Sequence, residues 1–293
     1  MGFESYHPAI NLFYFVSTIA AAILFKQPVF LLISYLSAFA YSVKRNGKRA
    51  VIFNLCLIPL IVIFAMYYSS YNHFGVTVMR QNFIGNNMTV ESLLYGVTLG
   101  MIVATVFMWL SCVFSVFTAD KVVYLFGRVS PKLSLFLSII LRTVPRLKAQ
   151  AKKISTARRA VGRGVNQGNV FQRIVNAVCI FSMLLTWLLE SFTTSSDSMR
   201  SRGYALKGRT AFSIYRFDNR DRSLVISLFA CLTVALMGYL LGQTVIWYDP
   251  KIVMNPITPI SFVFYMGFAV LCLLPLIMEL WTEFRFKKTR CQL

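Results

Sequence analysis

Two tripeptides, Gly162-Arg163-Gly164 and Ser201-Arg202-Gly203, each follow a long helix-like stretch inside the one large polar block of an otherwise apolar chain. An arginine beside a helix-ending glycine has a plain role, because its charge meets the negative end of the helix dipole for about 0.3–1 kcal/mol. A pair of them offers further chemistry. Each planar guanidinium can grip a carboxylate or helix-end carbonyls bidentately, so two tips read as paired anchors for a partner with two equivalent grooves.

Other constellations that do chemistry are missing. The histidines His7 and His73 have no carboxylate partner at motif spacing, and Cys56, Cys112, Cys179, Cys231, Cys272 and Cys291 are too scattered for metal or disulfide spacing. No cofactor is expected. The stretch from Gly203 to Thr210 has the glycine spacing of a phosphate loop, but Arg209 stands where that motif requires lysine and no strand precedes it. Glu91 and Glu279 lie near the ends of apolar runs, within reach of an interface, so no proton relay declares itself.

The elements that carry the arginines show a helical period. Val144, Leu147, Ala151, Ile154, Ala157 and Val161 recur at three- and four-residue spacing while Arg142, Arg146 and Lys153 share another face. This predicts an amphipathic helix, with a possible kink at Pro145, closed at Gly162, Gly164 and Gly168 by left-handed glycines. A second helix is expected from Val170 to Arg202, with Gln172, Asn176, Glu190 and Asp197 on a thin polar stripe and an apolar remainder. The apolar middle of that helix, about 13 residues, would cover roughly 20 Å and fall short of a hydrocarbon core. It is therefore expected to lie along the inner interface or against its neighbour helix. The faces around Ile154, Ala157, Phe181, Leu185 and Leu188 are candidates for gripping a membrane partner.

Around this block the chain is a membrane protein. Of its 293 residues 57% are hydrophobic, and the mean hydropathy is +0.64. Spans are expected at 9–25, 29–43, 50–68, 93–117, 224–248 and 260–281, the second being short. The fold class is thus all-α: a polytopic membrane protein with about six transmembrane helices and a cytoplasmic coupling region of long amphipathic helices. Residues 1–118 form an N-terminal transmembrane region, 119–222 the coupling helices, 223–282 a C-terminal transmembrane region and 283–293 a basic tail. Placing both termini in the cytoplasm leaves only Lys26, Arg80 and Lys251 outside, as retention of Lys and Arg in cytoplasmic loops demands. The first six residues lack the basic region of a cleaved signal peptide, so the first helix is expected to be retained. The net charge of +20 fits a surface beside anionic lipid, and no nucleic-acid partner is expected.

On these motifs, on His7-Pro8 before the first span, and on the phrase from Asp197 to Tyr204, the chain resembles the transmembrane T component of energy-coupling factor (ECF) transporters, the vitamin and metal importers of prokaryotes. The resemblance covers most of the chain. It implies a non-catalytic scaffold in the prokaryotic cell membrane with two ABC-type ATPase subunits and a membrane-embedded substrate-binding S component as partners. It also implies that Arg163 and Arg202 each enter a groove of one ATPase. Gly162 and Ser201 depart from the family's usual alanine, and the two C-terminal spans from the single one of many members. Two rivals stand beside it: a membrane-bound enzyme acting on a phospholipid or isoprenoid phosphate, with Arg142, Arg146, Lys148, Lys152 and Lys153 holding the headgroup, and a permease of another ATP-driven importer.

Overall fold

A computed structural model describes residues 2–72, 74–81, 87–204, 206, 215 and 217–290. The chain forms two compact units, Met1–Thr118 with Tyr215–Leu293, and Ala119–Ile214.

The first unit opens with a turn of 3-10 helix at Phe3–Ser5 and holds six apolar helices: α1 (Pro8–Leu24), α2 (Pro28–Asn46), α3 (Lys48–Tyr71), α4 (Val90–Val116), α8 (Asn219–Leu240) and α9 (Pro259–Arg290). Proline at the first position starts α1 and α2, where its missing N–H costs nothing. His7 caps α1, its Nδ1 accepting from the Ala9 amide at 3.3 Å. The second unit holds α5 (Ala119–Val129), α6 (Pro131–Ala160) and α7 (Val170–Ser201). Two short antiparallel hairpins close loops at the far end of the bundle, β1 (Val78–Gln81) with β2 (Asn87–Thr89) and β3 (Ile246–Trp247) with β4 (Val253–Met254).

Several boundaries differ from the sequence expectation. The fifth span stops at Leu240 rather than residue 248, because Gly242 takes φ +69 and its amide and that of Gln243 fold back on Tyr239 and Gly238. The basic tail is no separate segment, since α9 runs unbroken to Arg290. A separate helix, α5, precedes the two expected in the polar block. Among the described residues five helices, α3, α4, α7, α8 and α9, are long and apolar enough to cross a membrane, and α1 is a shorter apolar helix. α7 joins that set because its apolar stretch fills an 18-residue window of mean hydropathy 1.7, longer than the middle section expected.

α2 falls outside that set and carries several polar side chains into the bundle. It packs against α4 and α9, and Ser34, Ser37, Tyr41 and Ser42 are buried there. Lipid offers no hydrophobic drive for helix association, so hydrogen bonds and close contact must supply it. The Trp109 indole N–H donates to Ser34 Oγ at 3.2 Å, the Tyr14 hydroxyl to the Cys272 carbonyl at 3.0 Å, and Gln27 Nε2 to the Tyr265 hydroxyl at 2.7 Å. Gly96 and Gly100 let α4 approach α3 so closely that a Cβ would stand 2.8 Å from Ala65 Cα and 2.9 Å from Ile61 Cα. The outward side chains of α3, such as Ile52, Leu55, Val62 and Met66, are exposed and apolar, as lipid contact requires.

Polar contacts sort the helix ends into two sets. Arg45 at the end of α2 pairs with Glu4 and with Glu279 of α9, and its Nε donates to Ser115 Oγ at the end of α4. The His7 amide faces Asp221 Oδ1 of α8 at 3.5 Å, and Asp221 also takes the Asp218 amide at 3.1 Å in a capping box. At the opposite end the Thr244 carbonyl accepts from the amides of Lys26 and Gln27. The end of α4 and the start of α8, between which the second unit is inserted, therefore lie at one end of the bundle.

Candidate functional site: two arginine-bearing helix ends

α6 and α7 pair antiparallel. Near the turn, Asn176 Nδ2 donates to the Gly164 carbonyl at 3.2 Å; further along, Arg158 Nη1 lies 4.0 Å from Met183 Sδ; at the far end Leu135 and Ile139 share an open cleft with Phe192, Met199 and Tyr204. Ile180 is buried in the seam.

Antiparallel packing puts the end of α6 beside the start of α7. Arg163 and Arg202 consequently stand at opposite ends of the pair. From Asn176, level with the Gly164 turn, α7 rises about 38 Å to Ser201 at ~1.5 Å per residue. Both arginines are exposed.

The two helices end by the same device. In α6 the Gly162 amide bonds the Arg159 carbonyl and the Arg163 amide bonds Arg158; in α7 the Gly203 amide bonds Arg200 and the Tyr204 amide bonds Met199. This is the Schellman closure, with a left-handed glycine at φ +75 in Gly162 and +76 in Gly203. The tripeptides align in sequence but not in structure. Arg163 lies one residue after its left-handed glycine, at the position Tyr204 holds in the second cap, while Arg202 lies one residue before, at the position of Val161.

Of the three glycines expected to close α6, Gly162 and Gly168 take positive φ. Gly164 does not, and it serves a different need. It is buried, its amide donates to Gln167 Oε1 at 2.8 Å, and a Cβ there would meet Arg159 Cα at 3.3 Å. Asn169 then starts α7 through a capping box with Gln172, a signal legible in the spacing Asn169-x-x-Gln172. The Asn176 and Gln167 clamps on Gly164 had no such signal, because each joins residues through a turn whose path the sequence does not state.

Ser201 is exposed, its hydroxyl turned back onto the Ser198 carbonyl at 2.9 Å. Phe181 and Leu185 are 66% and 46% exposed and stand on one stripe of α7 with Leu188, which is half-buried. Ile154 is half-buried on α6, whereas Ala157 is exposed. The structure thus separates an α6–α7 seam around Ile180 from an open apolar stripe around Phe181.

Gly203 closes a helix at its carbonyl end, the wrong polarity for cradling phosphate, which needs a helix N-terminus. Ala205, the rest of the loop-like stretch from 207 to 210, His73 and Cys291 lie outside the described residues.

Comparisons with known proteins point to one lineage. A relative from Lacticaseibacillus paracasei, named energy-coupling factor transporter transmembrane protein EcfT, is 38% identical over 94 residues, 31% of this chain and 34% of the relative. An EcfT of Lactococcus lactis subsp. cremoris is 34% identical over 101 residues, 33% and 37% of the two chains. One from Listeria monocytogenes is 33% identical over 90 residues, 30% and 34%. The chain spans about a third of the length of these curated relatives in the matches. The family model CbiQ, described as cobalt transport protein, matches residues 5–212, well over half of the chain. With its multi-pass apolar bundle and inserted helical unit, this chain belongs to the CbiQ family.

Proposed function

We propose that this protein is the transmembrane scaffold of an ECF-type importer, transmitting the closure of two ATPase subunits to a substrate-binding membrane subunit that takes up a vitamin or metal ion. The observation that carries this reading is the pair of exposed arginines at opposite ends of one antiparallel helix pair, about 38 Å apart by helix rise. Two rigid tips at that separation suit two equivalent grooves on a dimeric partner. Movement of the grooves would then shift α6 against α7 as packed bodies, and the open stripe of Phe181, Leu185 and Leu188, with Ile154 and Ala157, would pass that shift to the substrate-binding subunit.

The membrane orientation follows from charge. Lys44, Arg45, Lys48, Arg49, Arg222 and Lys288 gather at the bundle end where α4 stops and α8 starts, against Lys26, Arg80 and Lys251 at the other. That end is assigned to the cytoplasm, where ATPase subunits reside.

The test is Arg163→Ala with Arg202→Ala in the full complex. Truncating a desolvated, hydrogen-bonded interfacial charge costs about 2–5 kcal/mol, so each substitution weakens ATPase association roughly 30-fold or more. Pull-down of ATPase subunits and uptake in vesicles should both fall. Full assembly and full uptake by the double variant would reject the anchor assignment.

A further inference from the structure

We propose that the β3–β4 hairpin is seated in the bilayer boundary at the far end of the bundle, with its Trp247–Val253 face against lipid. The hairpin and the helices it joins, α8 and α9, belong to one compact unit. Its side chains are sorted in the reverse of a loop in water. Leu240, Leu241, Trp247, Val253, Met254 and Ile257 are exposed, while polar groups turn inward onto one another. Asn255 Nδ2 donates to the Gly242 carbonyl at 2.9 Å, Ser261 Oγ donates to Gln243 Oε1 at 2.8 Å, and Thr258 Oγ1 lies 2.9 Å from Ser261 Oγ. Mutual pairing of polar groups beneath an apolar exterior suits a surrounding of low dielectric, where an unpaired polar group is costly. Register sets the face. Trp247 pairs with Val253 across the hairpin, so both side chains stand on one side of it, and Ile246 and Tyr248 point to the other. There both are buried, with the Tyr248 ring edge-on to Tyr95 of α4 at 5.2 Å.

Depth along the spans selects lipid as the medium. From Ser223, one residue past Arg222, to Leu240, α8 rises about 26 Å at ~1.5 Å per residue, short of a hydrocarbon core of about 30 Å. Tilt shortens that reach further. α9 covers about 30 Å between Pro259 and Glu279, which sets Ile257 and Thr258 at the edge of the core. The hairpin therefore starts where acyl chains end, and its exposed face continues the apolar exterior of α9 at Phe262 and Val263. Its open strand edges meet headgroups and water at that level, as a hydrocarbon medium would not allow. A tryptophan fits there, and the only charges from Leu240 to Thr258, Asp249 and Lys251, sit together at the hairpin tip within reach of water. This seat does not depend on which subunits the chain assembles with.

The experiment holds the full chain in phosphatidylcholine nanodiscs, in a background without native cysteines, with a nitroxide attached through Val253→Cys, Val263→Cys or Lys251→Cys. Collisions with oxygen, which partitions into lipid, are compared with collisions with a water-soluble nickel chelate. The label at 253 should favour oxygen over the chelate, as the one at the lipid-facing position 263 does, and the label at 251 should reverse the ratio. A second arm leaves the hairpin unlabelled. In discs of phosphatidylcholine brominated near the headgroup end of its chains, the unaltered chain should lose tryptophan emission that Trp247→Phe does not. A label at 253 that meets the chelate as freely as one at 251, or that neither probe reaches, overturns the proposal. So does equal quenching of the unaltered chain and Trp247→Phe, or a label at 253 shielded from the chelate only once a substrate-binding subunit is added.

Discussion

At the scale of single residues the two helix ends are governed by backbone geometry. Gly162 stands at φ +75 with nothing within 4 Å of where a Cβ would be, so Gly162→Ala meets conformational strain and no clash. That change should lower the stability of the second unit by about 1 kcal/mol, read as a lower unfolding temperature of the detergent-solubilised chain. A glycine at this position, where the resembling family has alanine, therefore matters to the shape of the first cap. Asn176→Ala removes the clamp on the Gly164 carbonyl and should cost about 0.5–1.5 kcal/mol, because the acceptor loses its side-chain donor but keeps the Gln167 amide at 3.1 Å. Its sharper readout is ATPase association: if Arg163 acts as an anchor, loosening its turn should weaken docking while Arg202 and its cap remain intact.

At the scale of elements, the α3–α4 contact is where a small change is felt most. Gly100 packs its Cα face against the Ile61 backbone, and backbone cannot move aside as a side chain end can. Gly100→Val should destabilise the bundle by about 3 kcal/mol or more, combining overpacking with loss of close interhelical contact. A chain that tolerates Val there with an unchanged unfolding transition would contradict the close approach of α3 and α4. The α6–α7 pair has the opposite character: one buried residue, Ile180, in its seam and wide open apolar stripes. Such a pair leaves apolar surface for a partner to cover, as the proposed coupling role requires.

At the scale of the whole molecule, parity of crossings bears on the one ambiguous helix. α7 has the length and apolarity of a span, but the chain leaves the bundle after α4 and returns at α8 on the same end. A single crossing by α7 would require a second by α6, whose second half is dense in Lys and Arg, or by α5, only 11 residues long. α7 should therefore stay on one side. Cysteines introduced at Asn166 and Ser201, in a background without the native cysteines, should react with a membrane-impermeant maleimide from the same face, and labelling from opposite faces would sink this topology.

Sequence alone determined the class of the molecule and where several of its long helices start. Apolar runs longer than a bilayer and charges confined to their ends leave few alternatives, and the starts at Pro8, Pro28 and Val170 follow from proline and capping chemistry that acts within a few residues. The boundary at Leu240 escaped because Leu241 and Val245 continue the apolar run, and only the left-handed turn at Gly242 breaks it. The pairing of the arginine tips could not be read at all. Spacing along the chain places Arg163 and Arg202 39 positions apart without saying whether they end side by side or at opposite ends; the antiparallel packing of α6 on α7 decides that. The register of each arginine in its cap was equally hidden, because it depends on which glycine takes positive φ. Local rules act over a turn of helix and are written in the sequence, whereas distances between turns are set by which surfaces find each other.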